Sequence, residues 1–246
     1  MPATPAWPPQ STPRLYVETE LAPGPLRIDG PPAHYLIAVM RLKVGDPVKL
    51  FDDRSGEWLG VAASVGKRDL TLDVTERLRE RESVPDLWLC AAPLKKGRID
   101  WMAEKACELG VARLAPVVTR RAVVDKPKAD RLRAHLIEAA EQCGRTALPE
   151  LAETVKLPAL LAAWPEDRTL FFADETGGEP AFAAMRAHRG PAAILIGPEG
   201  GFDAEERAAI GALPQAVGIG LGPRILRADT AAAAAVSLWM AAAGDW

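Results

Sequence analysis

The chain has 246 residues, of which 48% are hydrophobic and 26% charged, and its formal net charge is −3. This composition is that of a globular protein with one large or two small domains. The three cysteines, Cys90, Cys107 and Cys143, are odd in number and widely spaced. This pattern argues against a disulfide framework or a zinc site and favours a reducing compartment. The net charge alone argues against a nucleic-acid partner.

The first segment of the chain has the composition of a loose tail. Residues 1–13 contain five prolines and no charge, and they lack the basic start and apolar stretch of a signal peptide. We therefore expect a disordered tail over residues 1–12. The longest apolar run, residues 231–243, is too short to span a bilayer. We expect a cytoplasmic protein with no membrane partner and, since its three histidines are scattered, no metal site.

The N-terminal part of the chain predicts short strands separated by polar turns. Brief apolar runs that are candidate strands lie at residues 46–51, 58–62 and 70–74. Repeated short strands of this kind favour a small β-barrel, which we place at residues 13–80. The charged run from Arg77 to Ser83 predicts a linker.

After Asp86 the pattern changes to strands that alternate with helices. Candidate strands lie at residues 87–91, 114–118, 170–173, 192–196 and 216–221. Helices are predicted around residues 99–109, from 129 to 142, from Pro180, from 204 and from about 229. Gly110 and Gly144 have positions typical of residues that end a helix. The alternation predicts an α/β domain over residues 85–246, with a mostly parallel sheet and a ligand at the carboxyl ends of its strands.

Two glycine-bearing turns follow candidate strands near the C-terminus. The first turn is Gly-Pro-Glu-Gly-Gly at residues 197–201, and the second is Gly-Leu-Gly-Pro-Arg at residues 220–224. Since glycine has no Cβ, such turns let main-chain N–H and C=O groups approach a ligand closely. Together they predict a binding site built largely from main chain. Neither turn has the spacing of a P-loop or of the GxGxxG motif.

Each turn alone also fits an ordinary connection between a strand and a helix. Asp203 and Glu206 have capping-box spacing at the start of the helix after the first turn. Asp229 or Thr230 could cap the last helix. The pairing of the two turns, with basic residues in the second, favours a binding site over two ordinary connections.

The two turns resemble the signature of the bacterial 16S rRNA (uracil-N3) methyltransferases, a family of the SPOUT superfamily. The match covers Leu-Ile-Gly-Pro-Glu-Gly-Gly at residues 195–201 and Leu-Gly-Pro-Arg-Ile-Leu-Arg at residues 221–227. The family usually has Glu where this chain has Asp229, whose side chain is one methylene shorter. Similar stretches, which extend the resemblance to most of the chain, lie at residues 39–42, 50–52, 105–111 and 141–145.

This resemblance implies a PUA-like RNA-binding barrel followed by a SPOUT methyltransferase domain with a C-terminal trefoil knot. It also implies S-adenosyl-L-methionine as cofactor, a homodimer, and a uridine of 16S rRNA in the small ribosomal subunit as substrate. Three loops would surround the cofactor, at residues 173–176, 196–201 and 221–227. The expected cofactor contacts are Ile196, Gly197, Gly200, Gly201, Leu221, Gly222, Ile225, Leu226 and Arg227.

The reaction that the resemblance implies requires a proton to be removed or displaced. Neutral uridine N3 carries a proton and is a poor nucleophile, so a positioned base, or a cation beside the developing anion, must assist. Arg227 is the candidate cation, and Glu199 and Asp229 are candidates for the base or for orienting Arg227. The candidate RNA contacts are Arg41, Arg120, Arg121 and Arg145.

Basic residues are concentrated in parts of this acidic chain. Seven basic and two acidic residues lie between positions 113 and 133, and Lys95, Lys96 and Arg98 form a second cluster. Such patches can bind RNA phosphates, although a solvated surface has the same pattern. Three alternatives therefore stay open. They are a SPOUT ribose 2′-O-methyltransferase acting on tRNA or rRNA, a non-catalytic RNA-binding assembly factor, and a nucleotide-binding enzyme unrelated to RNA.

Overall fold

A computed structural model describes residues 11–246, so residues 1–10 of the predicted tail lie outside the described residues. The chain divides into two compact units. Unit 1 contains the residues up to Ser83 together with Ala140–Ala147, and unit 2 contains Val84–Ala139 and Leu148–Trp246. No sequence pattern indicated that residues 140–147 group with the N-terminal strands.

Unit 1 is built on a five-stranded sheet with the order β1-β3-β4-β5-β2. Its strands are β1 (Arg14–Tyr16), β2 (Gly24–Ile28), β3 (Pro47–Phe51), β4 (Glu57–Val65) and β5 (Leu70–Arg79). Neighbouring strands are antiparallel except β1 and β3, which are parallel. A short helix, α1 (Gly30–His34), and a π-helical turn (Tyr35–Val39) connect β2 to β3.

Three strands of unit 1 lie where the apolar runs predicted them, and two were not predicted. β1 has only three residues and β2 begins with Gly24-Pro25, so neither has the apolar alternation that marks a strand. β5 continues to Arg79, where it pairs with Glu57 of β4. The prediction of a linker beginning at Arg77 is therefore wrong for residues 77–79, because ladder pairing with β4 extends the strand through this charged run.

Alternate side chains of these strands form the apolar core of unit 1. Val48, Leu50 and Leu72 are fully buried there. Glu57 is buried as well, and both of its carboxylate oxygens are paired. Arg14 Nε donates to Oε1 at 2.6 Å, and Arg79 Nε donates to Oε2 at 3.0 Å. This pairing lets the carboxylate stay charged where an isolated charge would be unfavourable.

Hydrogen bonds attach the segment 140–147 to the rest of unit 1. Arg14 Nη2 donates to the carbonyl of Arg145 at 3.1 Å. The main-chain N–H of Glu82 donates to Thr146 Oγ1 at 2.9 Å, and Glu82 Oε1 accepts from the main-chain N–H of Thr146 at 2.7 Å. Arg145, a predicted RNA contact, is consequently buried inside unit 1, with its Nε 3.7 Å from Glu82.

Unit 2 is built on a parallel sheet with the order β11-β13-β10-β12-β6-β7-β8, and β9 pairs with the carboxyl end of β7. Its strands are β6 (Leu87–Ala91), β7 (Arg113–Val118), β8 (Glu150–Leu151), β9 (Val155–Lys156), β10 (Thr169–Ala173), β11 (Glu179–Pro180), β12 (Ala192–Ile196) and β13 (Ala216–Gly220). The prediction of an α/β domain with a mostly parallel sheet is confirmed.

Helices alternate with these strands. They are α2 (Arg98–Glu108), α3 (Ala129–Cys143), α4 (Leu157–Ala162), α5 (Ala181–Ala187), α6 (Ala204–Gly211) and α7 (Ala228–Ala243). Gly110 and Gly144 follow α2 and α3 with φ angles of +90° and +84°, the left-handed conformation expected after a helix. α5 begins one residue later than predicted, because Pro180 pairs in β11. α4 and the two-residue strands were not predicted.

The middle of the sheet is covered by α7. This helix packs against β12 and β6, and it buries Val236, Trp239 and Met240. Every residue of β12 is buried, as expected for an inner strand of a parallel sheet. The sheet order brings the carboxyl ends of β13, β10 and β12 side by side. The trefoil knot implied by the resemblance stays a prediction.

Candidate active site

A cavity of about 460 Å³ opens at the carboxyl ends of β10, β12 and β13. Residues from the segments 173–178, 196–202 and 219–226, each at the end of one of these strands, line much of it. Six glycines belong to this lining: Gly177, Gly178, Gly197, Gly201, Gly220 and Gly222. Since glycines have no side chain, they leave main-chain atoms accessible to a ligand. The cavity lies at the edge of the sheet where the sequence predicted it.

The first glycine turn, residues 197–201, folds back on itself at the end of β12. The main-chain N–H of Gly201 donates to the carbonyl of Pro198 at 2.9 Å. Gly201 has a φ of +65°, and a Cβ at this position would lie 2.6 Å from Oε1 of Glu175. A Cβ at Gly197 would lie 3.3 Å from the ring of Phe202. A side chain at Gly201 would therefore strain the backbone and displace Glu175.

Two arginines that follow β7 contact the first glycine turn and the helix after it. Arg121 Nη1 donates to the carbonyl of Gly200 at 2.6 Å. Arg120 Nη1 donates to Asp203 Oδ2 at 3.1 Å and also pairs with Glu205. Both guanidinium groups were predicted as RNA contacts. In the folded chain they bind the loop and helix that border the cavity.

A capping box begins α6, directly after the first glycine turn. The main-chain N–H of Glu206 donates to Asp203 Oδ1 at 2.7 Å, and the main-chain N–H of Asp203 donates to Glu206 Oε2 at 3.1 Å. The bond from Glu206 holds the pKa of Asp203 below its ordinary value. The predicted capping-box geometry is confirmed, and it fixes the direction in which the chain leaves the turn.

The second glycine turn follows β13 and leads into α7. Gly222 has a φ of +105°, and no heavy atom lies within 4 Å of a Cβ placed there. Ile225 lines the cavity although 85% of its surface is exposed. Arg227, with an exposed side chain, is the residue that precedes the first residue of α7. Of this turn, the apolar side chain of Ile225 and the cation of Arg224 line the cavity, and Arg227 lies outside the lining.

The loop after β10 forms a charged wall of the cavity. Arg207 Nε lies 3.3 Å from Asp174 Oδ1, and Arg207 Nη2 lies 3.9 Å from Glu175 Oε1. Asp174 Oδ1 also accepts from the main-chain N–H of Thr176 at 2.9 Å. Sequence reasoning missed Arg207, because it lies within α6 and outside any recognisable motif. The cavity thus combines this charged wall with a surface of glycine and apolar residues.

Arg98, the first residue of α2, contacts both predicted catalytic carboxylates. Its Nη1 lies 3.3 Å from Glu199 Oε1, and its Nε lies 4.0 Å from Asp229 Oδ2. The sequence placed Arg98 only in a basic cluster. Its position follows from the sheet order, in which β6, the strand before α2, adjoins β12. The start of α2 therefore lies on the same edge of the sheet as the first glycine turn.

The structure brings most of the predicted site residues together. The predicted cofactor contacts that line the cavity are Ile196, Gly197, Gly201, Leu221, Gly222, Ile225 and Leu226. Gly200 and Arg227 adjoin lining residues but are not part of the lining themselves. Of the catalytic candidates, Glu199 lines the cavity, and Asp229 lies in the first turn of α7 with 16% of its side chain exposed. Arg41 lies in unit 1, is exposed, and has a φ of +56°.

The part of the chain that the structure describes offers no candidate metal centre. Within residues 11–246, no group of three or more His, Cys, Asp or Glu side chains could hold a metal ion. The same residues contain no helix that is both long and apolar enough to cross a membrane.

Comparison with known proteins relates both units to RNA-modifying enzymes. The family described as RNA methyltransferase domain matches residues 80–240, more than half of the chain, and the family described as RNA methyltransferase PUA domain matches residues 28–75. A ribosomal RNA small subunit methyltransferase E of Synechocystis is 32% identical over 83% of this chain and 69% of its own length. This chain belongs to the ribosomal RNA small subunit methyltransferase E family. The family member of Rickettsia conorii is 29% identical over 83% of this chain and 84% of its own length.

Solved structures extend the likeness to the whole fold. A protein of Legionella pneumophila, described as a methyltransferase and solved with the bound cofactor SAM, is 30% identical with a TM-score of 0.87. The match covers 96% of this chain and 99% of that one. The ribosomal RNA small subunit methyltransferase E of Neisseria gonorrhoeae, solved with S-adenosyl methionine, has a TM-score of 0.88 at 24% identity and supports the fold. Unit 1 is thus a PUA-like β domain, and unit 2 is the parallel-sheet methyltransferase domain of this family.

Proposed function

We propose that this protein transfers the methyl group of S-adenosyl-L-methionine to N3 of a uridine in 16S rRNA of the small ribosomal subunit. The observation that carries the proposal is the cavity at the carboxyl ends of β10, β12 and β13, bordered by the two glycine turns. Membership of the methyltransferase E family supports the substrate and the reaction. The relative from Legionella pneumophila, which was solved with SAM, supports the cofactor.

The residues around the cavity fit this cofactor. A volume of about 460 Å³ is within the usual range of small-molecule sites, which is roughly 300–1,000 Å³. Ile196, Leu221 and Leu226 supply apolar surface that can cover the faces of an adenine ring. Gly197 and Gly222 leave main-chain N–H and C=O groups accessible for hydrogen bonds to its edge. No heavy atom lies within 4 Å of the point that a Cβ at Gly222 would occupy, so a ligand can approach the backbone there.

The proposed reaction assigns a task to three charged residues. The bound cofactor supplies a methyl group on a sulfonium, and the substrate supplies a pyrimidine nitrogen that must lose its proton. Arg227, exposed at the start of α7, would stabilise the negative charge that develops on the uracil ring. Glu199 and Asp229 would accept the proton or orient Arg227. A positioned base of this kind typically contributes about 10²–10⁴-fold in rate.

The proposed substrate requires residues on the protein that contact RNA. The proposed RNA contacts are Arg41, Arg120 and Arg121, whose side chains are exposed. Arg145 was also expected to contact RNA, but its side chain is buried in unit 1, so it is not part of the proposal. We propose a homodimer as the functional form, as the resemblance to the family implies. A cytoplasmic location follows from a substrate that is a ribosomal subunit.

A single assay with labelled cofactor tests the proposal. The protein is offered intact small subunits, naked 16S rRNA and tRNA in parallel, and the modified nucleotide is then mapped by nuclease digestion and mass spectrometry. We expect a methyl group on N3 of one uridine in 16S rRNA. A methyl group on a ribose 2′-oxygen would instead identify a ribose methyltransferase, and RNA binding without methyl transfer would identify an assembly factor.

A further inference from the structure

Arg98, the first residue of α2, contacts the first glycine turn and the start of α7. Glu199, which it contacts at 3.3 Å, lies within the first turn, at the end of β12. Asp229, at 4.0 Å, follows the second turn and is the second residue of α7. Two different nitrogens of the same guanidinium, Nη1 and Nε, face the two carboxylates. The start of α2 is thereby connected to both the first glycine turn and the first turn of α7.

The start of α2 is itself held in place, so the position of Arg98 is well defined. The main-chain N–H of Gly97, which precedes it with a φ of +91°, donates to Asp100 Oδ2 at 3.0 Å. Arg131 Nε donates to Asp100 Oδ1 at 2.8 Å. The next residue, Ile99, is buried. These contacts fix the backbone from which the Arg98 side chain extends toward the turns.

We infer that Arg98 is a positioning residue for methyl transfer, which holds Glu199 and Asp229 at the separation that the reaction requires. This inference rests on the proposed function and deepens it. Without the guanidinium, two carboxylates facing the same space would repel each other, and both would oppose the approach of RNA phosphates. With it, the first glycine turn and the start of α7 contact the same side chain. Arg98 acts through these two carboxylates and is assigned no contact with substrate or cofactor.

An arginine suits this role better than a lysine. Its planar guanidinium offers several donors in a fixed arrangement and can address two carboxylates at once. A lysine ammonium is a single point charge on a flexible stem. Stability alone does not account for the residue, because ion pairs as exposed as this one contribute little to folding. A purely structural role therefore predicts unchanged turnover on replacement, and a positioning role predicts a loss.

The test uses the full-length protein with labelled S-adenosyl-L-methionine and small ribosomal subunits. Arg98→Ala is compared with Arg98→Lys, and Arg186→Ala serves as control because Arg186 is an exposed arginine on α5 outside the cavity lining. We expect Arg98→Ala to lower kcat by about 10²-fold, the typical effect of misplacing reacting groups by an ångström. KM for the cofactor and Tm should change little. Arg98→Lys should restore part of kcat, and the control should match the unaltered protein.

A double variant separates action through Glu199 from an independent effect. If Arg98 works by holding Glu199, the variant that combines Arg98→Ala with Glu199→Gln should lose little more than the more damaging single change. Independent losses that multiply would overturn the inference, and so would an Arg98→Ala variant with normal kcat. A loss that tracks a lowered Tm and is not relieved by lysine would overturn it as well. If the unaltered protein fails to methylate 16S rRNA, the proposed function itself is contradicted, and the inference with it.

Discussion

Arg121 donates a hydrogen bond from its guanidinium to the main-chain carbonyl of Gly200, with 2.6 Å between Nη1 and the oxygen. Arg121 follows β7 and Gly200 follows β12, so the bond joins two loops that leave the sheet at different strands. The first glycine turn is therefore held from outside by a side chain as well as by its own Gly201 to Pro198 bond. The shape of this turn therefore depends on Arg121, which lies outside the glycine motif.

Replacing Arg121 with alanine should weaken cofactor binding. Removing a charge-assisted hydrogen bond typically costs about 1.5–3 kcal/mol, and the exposure of Arg121 reduces this to roughly 1 kcal/mol. We therefore expect the Kd for S-adenosyl-L-methionine, measured by calorimetry, to rise about fivefold. Arg189→Ala, at another exposed arginine that does not line the cavity, should leave Kd unchanged. Wild-type affinity in the Arg121 variant would show that the turn keeps its shape without this bond.

Valine at Gly197 or at Gly222 should abolish cofactor binding while the protein stays folded. At Gly197 the new side chain meets the Phe202 ring, and at Gly222 it enters the open space that the ligand would occupy. The unfavourable φ of +105° at Gly222 costs about 1–3 kcal/mol, which is less than the stability of a typical domain. Calorimetry and thermal unfolding measure the two effects separately.

The matched control for these glycines is Gly211→Val. Gly211 ends α6, has no positive φ, and has no heavy atom within 4 Å of the point that a Cβ would occupy. This variant should bind cofactor normally. If both cavity variants bind with unchanged affinity, the glycine turns are not the cofactor site.

Replacing Arg227 with alanine should reduce turnover more than cofactor affinity. Its side chain is exposed at the start of α7 and is not part of the cavity lining, so its proposed partner is the reacting uracil. Loss of one preorganised donor to a developing negative charge costs about 10²–10³ in kcat. Single-turnover kinetics with saturating cofactor give this value, and calorimetry gives the affinity. Equal losses in both quantities would assign Arg227 to cofactor binding instead.

Unit 1 should lose stability on acidification through Glu57. Burial alone raises the pKa of this carboxyl, but hydrogen bonds and charge from Arg79 and Arg14 outweigh it and lower the pKa below its ordinary value. A lowered folded-state pKa gives stability that is present above about pH 4.3, the pKa of an unperturbed Glu. This contribution is lost as the pH falls through the folded-state pKa. Hydrogen exchange in peptides of β4 and β5 measures the opening.

Glu57→Gln is the control for this pH dependence. It removes the titrating group and leaves the part-buried Arg14 without its anion, at a cost of about 3 kcal/mol at neutral pH. Protection of β4 in this variant should be lower at neutral pH and should depend less on acidification than in the unaltered protein. An unchanged acid response would show that other carboxyls dominate. Asp52 is one of these, since hydrogen bonds from Ser55 and the backbone lower its pKa against the effect of burial.

Sequence reasoning succeeded where local chemistry determines structure. β6 and β12 occupy the predicted residues because apolar runs of five residues between polar segments have the length of buried strands and are too short for helices. The capping box of Asp203 and Glu206 was predictable because it depends on residues three positions apart. The cavity followed from the rule that parallel sheets bind ligands at the carboxyl ends of their strands.

The contacts and strands that the sequence did not predict depend on partners far away along the chain. Arg98, Arg120 and Arg121 have the same appearance in the sequence as solvated basic residues. Their carboxylate or carbonyl partners lie 79 or more residues away along the chain, and no periodicity connects them. β1 has only three residues, and what identifies it is its pairing with β3 and the hydrogen bond from Arg14 to Glu57. Such pairings are decided by the folded arrangement, which local patterns do not encode.

The glycines around the cavity have a consequence for small-molecule inhibitors. A compound that hydrogen-bonds to main-chain groups of this loop surface would keep those contacts through most point substitutions, because the backbone is common to all residues. Resistance would then arise mainly at the glycines themselves or at residues such as Arg121 that hold their turns in place. At Gly201 and Gly222 the positive φ angles make any other residue unfavourable, so few substitutions there could confer resistance.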